Sequence, residues 1–190
     1  RSVEIAAKYG IHIHLRSSFD NSKGTIVKGE EEIIKKAKIV GVSSSKNEGK
    51  ITILGMPDKP GIAAKVFATL AKAKINTDII VQSSSTNKEL NNISFTVSKT
   101  DLPEAIAISE KIKTEIGATS ILSDGNVAKV SVIGVGLKSH YETTADIFDT
   151  LAENNINIDM ISCSEINVSC IISQDDVDKA VIALHDKFIV

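Results

Sequence analysis

The pattern of apolar and polar positions along the chain occurs twice. Three apolar blocks recur in the same order, at separations of about 75 to 81 residues. The matching blocks are 50–55 with 129–134, 75–80 with 156–161, and 93–98 with 168–173. Because all three blocks keep their order and spacing, the sequence predicts two copies of one structural unit.

The first part of each copy predicts a strand, a loop and a helix. The strand ends at Gly55 in the first copy and at Gly134 in the second, and the helix ends near Lys74 or Asn155. Apolar residues at helical spacing give each helix one stripe that faces the core. The stripe contains Ala63, Val66, Phe67, Leu70 and Ala71 in the first copy and Ile147, Leu151 and Ala152 in the second.

The later part of each copy predicts two more strands and a second helix. The second strand carries an Ile-Asn-x-Asp block, the third covers 93–98 or 167–173, and the helix covers about 102–116 or 176–187. Only the first copy continues into a fourth strand, at 118–122. Each copy is therefore a βαββαβ-type unit of the α+β class, and the second copy is one strand short.

An apolar segment upstream of the first copy, residues 39–43, is a candidate for the missing strand. We predict that it crosses back to complete the second unit. The first unit, residues 50–124, would then be inserted within the second, which comprises 38–46 and 127–190. Pairing of residues 39–43 within the first unit alone would contradict this prediction.

Residues 1–38 differ in character from both copies. They predict a helix from Ser2 to Tyr9, a strand from Ile11 to Leu15, a polar loop over 16–25 and a charged connector over 30–38. A stretch this short cannot bury a core of its own. It is therefore expected to be the tail of a neighbouring domain.

Composition narrows the class of function. The formal net charge is −2, so the chain has no bulk attraction for nucleic acid or acidic membranes. Cys163 and Cys170 are too few for a disulfide framework, and no apolar run is long enough to span a bilayer. We expect a cytoplasmic protein that binds neither nucleic acid nor membrane. His12 and His14 alternate on one predicted strand without a third ligand, so no metal site is predicted.

The loop after the first strand has the chemistry to bind a free amino acid. Pro60 suits a first helical turn, and Gly61 permits close approach of a ligand. Free N–H groups at the helix start attract a carboxylate, and Asp58 beside them could accept an ammonium group. The alternative is that Asp58 only caps the helix while Pro60 and Gly61 form a turn, and spacing alone does not exclude it.

Amide side chains on the second strands are further candidates for binding. Asn76 and Asn157 start the second strand of each copy, and Gln82 ends that of the first copy. A side-chain amide donates and accepts at once, as recognition of an amino acid requires. Alternatively, each Asn accommodates the helix–strand turn and Gln82 is an ordinary exposed residue.

Five segments together form a recognisable pattern: 55–63 (Gly-Met-Pro-Asp-Lys-Pro-Gly-Ile-Ala), 76–82, 132–136, 139–140 and 157–166. They closely resemble the regulatory region of bacterial aspartate kinase, which is a tandem pair of ACT domains. The resemblance covers roughly residues 38–190 and is specific in both copies. It implies two ferredoxin-like ACT domains.

Residues 1–30 resemble the final helix and strand of that enzyme's amino-acid kinase domain, including Arg16-Ser17-Ser18 and Gly24-Thr25. The family phosphorylates aspartate with ATP, but its N-terminal motifs are absent from this sequence. The chain alone is therefore expected to be inactive and to hold no cofactor, with ATP and Mg bound only by the missing kinase domain. A natural short regulatory subunit and an excised fragment both stay open, and the residues before 39 favour the fragment.

The resemblance also implies that the ACT pair binds lysine, threonine or both as feedback inhibitors. In the family, the effector lies between the strand–helix loop of one ACT domain and the second strand of the other. The first pocket, expected to take threonine, is carried over onto Asp58, Lys59, Pro60, Gly61, Ile62, Ala63, Gln82, Asn157 and Ile158.

A second, pseudo-symmetric pocket is expected to take lysine. It is carried over onto Asn76, Thr77, Asp78, Thr143, Thr144, Ser164 and Glu165. The second loop reads Lys138-Ser139-His140-Tyr141 and lacks Asp-x-Pro-Gly, so the two pockets are expected to differ in ligand.

The resemblance further implies a homodimer through the ACT domains and contact with a kinase domain or catalytic subunit. Two other functions stay open. One is a dimerisation scaffold without a ligand. The other is a fragment that contributes groups from residues 16–25 to the kinase site.

Overall fold

Most of the chain forms one antiparallel six-stranded sheet with helices packed on it. The computed structural model describes residues 2–28, 39–84, 89–135, 137 and 141–189. The predicted connector 30–38 and the loop residues 138–140 lie outside the described residues.

The N-terminal segment is a helix followed by a short hairpin. Its elements are α1 (Ser2–Lys8), β1 (Ile13–Leu15) and β2 (Thr25–Val27). The two strands pair antiparallel, with His14 opposite Ile26. The predicted loop over 16–25 is wrong at its last residue, because Thr25 begins a strand too short to show a period of its own.

In the described residues, the two copies contribute six strands to the sheet and four helices that pack on it. In chain order the elements are β3 (Ile39–Pro57), α2 (Ile62–Lys72), β4 (Thr77–Ser84), β5 (Leu90–Ser98), α3 (Leu102–Ile116), β6 (Ser120–Gly134), α4 (Tyr141–Glu153), β7 (Ile158–Cys163), β8 (Asn167–Ser173), a 3₁₀ turn (Gln174–Asp176) and α5 (Val177–Phe188). The order across the sheet is β4-β5-β3-β6-β8-β7.

Strands β3 and β6 run through the middle of the sheet and serve both copies. Residues 48–54 of β3 pair with residues 120–127 of β6, whereas residues 39–45 pair with 129–134. The segment upstream of the first copy therefore takes the fourth strand position beside the second copy. Both halves of the sheet consequently have the same strand order. From the outer edge inward, it is the second, third, first and fourth strand of the βαββαβ unit.

The middle strands are longer than the sequence predicted. The predicted strands 39–43 and 50–55 are parts of one 19-residue strand, β3. Its polar stretch 43–49 has no apolar alternation, yet it is held by pairing with β6. Register shifts between Ser45 and Glu48, and between Glu48 and Lys50, allow the strand to change its direction there.

Each copy buries its own core between the sheet and two helices. The first core includes Ile51, Leu70 and Phe95, and the second includes Val130, Leu151 and Ile172. The predicted helix stripes are confirmed except at Ala71 and Ala152, which are exposed. Each of these alanines follows a buried leucine, and one residue further along a helix lies about 100° around its axis.

The first helix of each copy ends in the same hydrogen-bonded motif. Lys74 N donates to Ala71 O and Ile75 N to Leu70 O in the first copy. Asn155 N donates to Ala152 O and Ile156 N to Leu151 O in the second. Lys74 and Asn155 adopt left-handed φ angles of 61° and 53°. This is the Schellman motif, and it confirms the predicted helix ends.

The two copies contact each other through reciprocal ion pairs. Lys50 Nζ of the first copy lies 2.6 Å from Asp159 Oδ2 of the second. Lys129 of the second copy bonds Asp78 of the first, and its Nζ lies 3.6 Å from Glu48 Oε1. Lys50 and Lys129 occupy equivalent positions in the repeat, as do Asp78 and Asp159.

A small apolar cluster lies beside these ion pairs. It contains Ile79, Val127, Met160 and Ile171, all buried and separate from the two helix-covered cores. Because Val127 and Ile171 alternate with core residues along their strands, they face the side of the sheet opposite the two helix-covered cores. On that side, the two copies are therefore joined by a buried apolar cluster with ion pairs next to it.

Candidate functional site

A cleft of about 330 Å³ lies beside the start of α2 in the first copy. It is lined by Met56, Pro57, Asp58, Lys59, Pro60, Gly61, Ile62, Ala63, Gln82, Asn91 and Ile93. The structure thus brings together seven of the nine residues assigned to the first pocket from the sequence. Asn157 and Ile158 are the two that do not line it.

The start of α2 provides the donor side of the cleft. Gly61 occupies the N-cap position with a left-handed φ of 94°, and no side chain caps the helix. The N–H groups of the first turn and the positive end of the helix dipole therefore favour an anion. Pro60 was predicted in the first helical turn, but it lies in the turn before Gly61 because the helix begins at Ile62.

Asp58 provides the acceptor side of the cleft. Its Oδ1 accepts a hydrogen bond of 2.7 Å from Asn91 Nδ2, and its backbone N donates to Glu89 O at 2.8 Å. The interpretation that Asp58 caps the helix is therefore wrong, because its carboxylate is bonded to β5 instead. Asp58 remains exposed, so its Oδ2 can accept further hydrogen bonds.

The start of β5 holds the loop that carries Asp58. Asn92 Oδ1 accepts a hydrogen bond from Gly55 N at 2.9 Å, next to the bond between Asn91 and Asp58. Sequence reasoning missed both asparagines because it began the third strand at residue 93, whereas β5 begins at Leu90. A polar pair directly before an apolar strand was the signal that could have identified them.

Gln82 reaches the cleft from β4. It pairs with Ile93 of β5 across the sheet, and residues directly opposite each other project to the same face. Gln82 is exposed, whereas Ile93 is buried in the first core. The cleft is therefore lined by apolar side chains, by the Asp58 carboxylate, by the start of α2 and by the exposed amide of Gln82.

Asn157 and Ile158 lie at the start of β7, in the second copy. Asn157 is exposed, and Ile158 packs against the second core. Strands β4 and β7 are the two outer strands of the sheet. Within one chain, these two residues are therefore outside the cleft that Asp58 and Gln82 line.

The residues of the second predicted pocket are divided between the two copies. Thr143 and Thr144 are in the first turn of α4, and Ser164 and Glu165 are in the turn between β7 and β8. Ser164 Oγ accepts hydrogen bonds from the backbone of residues 166 and 167, so it stabilises that turn.

The other three residues of that pocket lie at the beginning of the second strand of the first copy. Asn76 precedes β4, and Thr77 and Asp78 start it. Asp78 is hydrogen-bonded to Lys129, so its carboxylate already has a cationic partner. Thr77 is half-buried and pairs with Val97 of β5.

The described part of the chain contains neither a candidate metal-binding group of side chains nor a candidate membrane-spanning helix. No group of three His, Cys, Asp or Glu side chains in that part could hold a metal ion. None of its helices has the length and the apolar character that crossing a bilayer requires.

The sequence pattern of the family described as ACT domain matches residues 51–111 and 130–188. The chain is 43% identical, over 191 aligned residues, to an aspartokinase of Corynebacterium efficiens. The alignment covers 99% of this chain and 45% of that protein. The chain therefore spans about half the length of the curated relatives it matches.

Two similar solved structures match most of this chain. The regulatory subunit of aspartate kinase from Thermus thermophilus, in a ligand-free form, is 37% identical, with a TM-score of 0.74. A structure of aspartokinase alpha and beta subunits includes a chain that is 40% identical, with a TM-score of 0.72. Each match covers 78% of this chain and 97% of the other. The chain thus belongs to the ACT-domain family, as a regulatory ACT-domain region of aspartokinase.

Proposed function

We propose that this region senses free amino acids, with threonine as the effector in the first-copy cleft and feedback inhibition of aspartate phosphorylation as the result. The observation that supports this proposal is the arrangement of Asp58 opposite the uncapped start of α2. An α-amino acid carries one ammonium and one carboxylate, and the cleft offers an acceptor and a group of donors.

The bound amino acid would be oriented by its two charged groups. Its ammonium would donate to the Asp58 carboxylate, and its carboxylate would accept from the N–H groups behind Gly61. The Gln82 amide, which donates and accepts, would then meet the side chain and favour a hydroxyl. Lys59, Pro60, Ile62 and Ala63 complete the wall around the ligand.

A second chain would close the cleft. Asn157 and Ile158 belong to the resemblance-based pocket but do not line the cleft within one chain. We therefore propose a homodimer in which β7 of one chain reaches the cleft of the other. An effector held between two chains would favour one of their arrangements, and only its differential affinity for the arrangements would transmit the signal.

A lysine pocket would form from the equivalent elements in the pseudo-symmetric place. Its members would be Asn76, Thr77, Asp78, Thr143, Thr144, Ser164 and Glu165. The exposed carboxylate of Glu165 suits the second ammonium group of lysine. The bond between Asp78 and Lys129 means that Asp78 would contact the ligand only while shared with that lysine.

The region would work as part of a longer enzyme. We propose that the first ACT domain (50–124) is inserted in the second (38–46 with 127–190), which the pairing of 39–45 with 129–134 supports. Residues 1–30 would be the remnant of a kinase domain that binds ATP and Mg. Exposed apolar side chains in this segment support a neighbour that covers them: Ile5 in α1, Tyr9 just after it, and Phe19 in the loop between β1 and β2.

Calorimetric titration of the 190-residue chain with threonine, and separately with lysine, tests this function. The Gln82→Ala variant should bind threonine about tenfold more weakly, because one ligand hydrogen bond is lost. Val81→Ala is the matched control, since Val81 pairs with Ser94 and faces the opposite side of the sheet. Absence of binding of both amino acids to the dimer would instead indicate a scaffold without a ligand.

A further inference from the structure

We propose that Asn91 is a positioning residue of the effector cleft, which holds the Asp58 carboxylate in the orientation that receives the ligand's ammonium group. This inference rests on the proposed function, and it adds a residue outside the set carried over from the resemblance. Asn91 lines the cleft, is only 8% exposed, and donates from Nδ2 to Asp58 Oδ1 at 2.7 Å.

The hydrogen bond between Asn91 and Asp58 joins a strand of the sheet to a loop. Asn91 belongs to β5 and pairs with Met56 in the central ladder, whereas Asp58 belongs to the loop that follows β3. A carboxylate on a loop would otherwise sample several rotamers before a ligand arrives. Fixing one oxygen on the strand orients the other in advance, which reduces the entropy lost on binding.

The chemistry of an amide suits this role. A carboxylate forms strong, charge-assisted hydrogen bonds with N–H donors, and a neutral amide provides such a donor without neutralising the carboxylate. A cationic side chain at position 91 would compete with the ammonium for Asp58. A carboxylate at position 91 would repel Asp58 unless one of the two oxygens carried a proton.

The neighbouring Asn92 separates this role from simple support of the loop. Asn92 also bonds the loop, by accepting from Gly55 N at 2.9 Å. Loss of either asparagine removes one hydrogen bond between β5 and the loop. Only loss of Asn91 frees the Asp58 carboxylate, so the two variants should differ in ligand affinity.

The test is calorimetric titration with threonine of the unaltered chain and of the variants Asn91→Ala, Asn92→Ala, Asp58→Ala and Asp58→Ala/Asn91→Ala. We expect Asn91→Ala to raise the Kd for threonine about tenfold and Asn92→Ala to raise it less than about threefold. The double variant should bind no more weakly than Asp58→Ala, because Asn91 acts through Asp58. Urea unfolding of each variant monitors the fold.

A second variant gives a readout that a structural role would not change. Asn91→Asp should bind threonine poorly at pH 7.5 and recover several-fold, relative to the unaltered chain, at about pH 5. The shared proton of a carboxyl pair restores a donor to Asp58 at the lower pH. This variant also decides the question if Asn91→Ala does not fold.

Four results would overturn the role of Asn91 while leaving the sensor function intact. They are an unchanged Kd in Asn91→Ala, equal losses in Asn91→Ala and Asn92→Ala, additive losses in the double variant, and no recovery of threonine binding by Asn91→Asp at about pH 5. An unaltered chain that binds neither threonine nor lysine is a different result, because the proposed function then fails first and the role of Asn91 fails with it.

Discussion

At the residue scale, Gly55 shows how closely the site loop fits the body of the first copy. Its φ is 64°, a conformation that L side chains rarely adopt, and an added Cβ would collide with Thr119 Oγ1. Its N–H bonds the side chain of Asn92. Gly55 therefore permits the register shift of β3 between Ile53 and Met56, where the strand passes close to Thr119, just before β6.

Replacing Gly55 with alanine should lower the free energy of unfolding by about 1–3 kcal/mol, from left-handed strain together with the steric clash. The matched control is Gly41→Ala in the same strand, because an added Cβ there meets nothing within 4 Å. Urea unfolding of both variants measures the difference. Equal midpoints for the two variants would contradict the strain at position 55.

The sequence allowed prediction of the site residues that are neighbours in the chain, but not of their partners. Asp58 and Gly61 stand in one short motif between a strand and a helix, so local chemistry was enough to select them. Asn91 is 33 residues from Asp58, and nothing local pairs them. The side chain that orients a loop carboxylate becomes visible only when the strand register is known.

At the element scale, the ends of α2 and α4 show that the repeat extends to backbone geometry. Both helices end with a left-handed residue followed by a buried isoleucine, Ile75 or Ile156. Asn155 is well suited to that conformation, because asparagine tolerates positive φ better than most residues. Lys74 is less suited to a positive φ, so the backbone is more strained at Lys74 in the first copy than at Asn155 in the second.

Replacing Lys74 with glycine should therefore raise the free energy of unfolding by about 0.5–1 kcal/mol, since glycine has no Cβ to strain. The control is Lys72→Gly, two residues earlier and still within α2, which should lower it by up to about 1 kcal/mol. Thermal and urea unfolding give both values. Changes of the same sign at 72 and 74 would rule out the left-handed helix end as the cause.

Elements with a clear apolar period were predictable, and elements held by pairing were not. The strand 167–173 was predicted with the bounds it has, because four of its seven residues are apolar and it repeats the apolar block 93–98. The stretch 44–49 was not predicted as strand, since its serines, Lys46 and Asn47 show no alternation. It is extended because β6 lies beside it along both copies, and a long-range partner leaves no period in the local sequence.

At the scale of the whole molecule, the two copies are joined by a pair of exchanged charges. Each copy contributes one lysine and one aspartate, and each lysine bonds the aspartate of the other copy. Burial lowers the pKa of Lys129, but the hydrogen bond with Asp78 and the charge of Glu48 outweigh it, so that the pKa lies above its ordinary value. A raised lysine pKa stabilises the fold below the ordinary lysine range, and the contribution is lost only as the pH rises through the raised value.

The two ion pairs between the copies also involve residues next to both proposed pockets. Asp159 lies two residues after Asn157, and Asp78 lies two residues after Asn76. The repeat shows that these residues are equivalent, but the sequence does not show that each aspartate pairs with the lysine of the other copy. A ligand that moves the start of β4 or β7 would therefore act directly on an ion pair that holds the other copy.

The strength of the ion pair between Lys50 and Asp159 can be measured with a double-mutant cycle on Lys50→Met and Asp159→Asn. Lys50 is 19% exposed and Asp159 is 41% exposed, so the pair is only partly screened by water. We expect a coupling free energy of about 1 kcal/mol at low ionic strength, which decreases as salt is added. The measurement is urea unfolding of the four proteins in the cycle.

The matched control is the pair Lys65–Glu115, whose Nζ–Oε2 distance of 3.0 Å joins α2 to α3 within the first copy. Its side chains are 47% and 59% exposed, so its coupling should stay below about 0.5 kcal/mol. A coupling between Lys50 and Asp159 no larger than this control would mean that this ion pair does not hold the two copies together. Equal loss of stability in each single variant and in the double variant would instead assign the whole effect to the pair, because each charge then matters only through its partner.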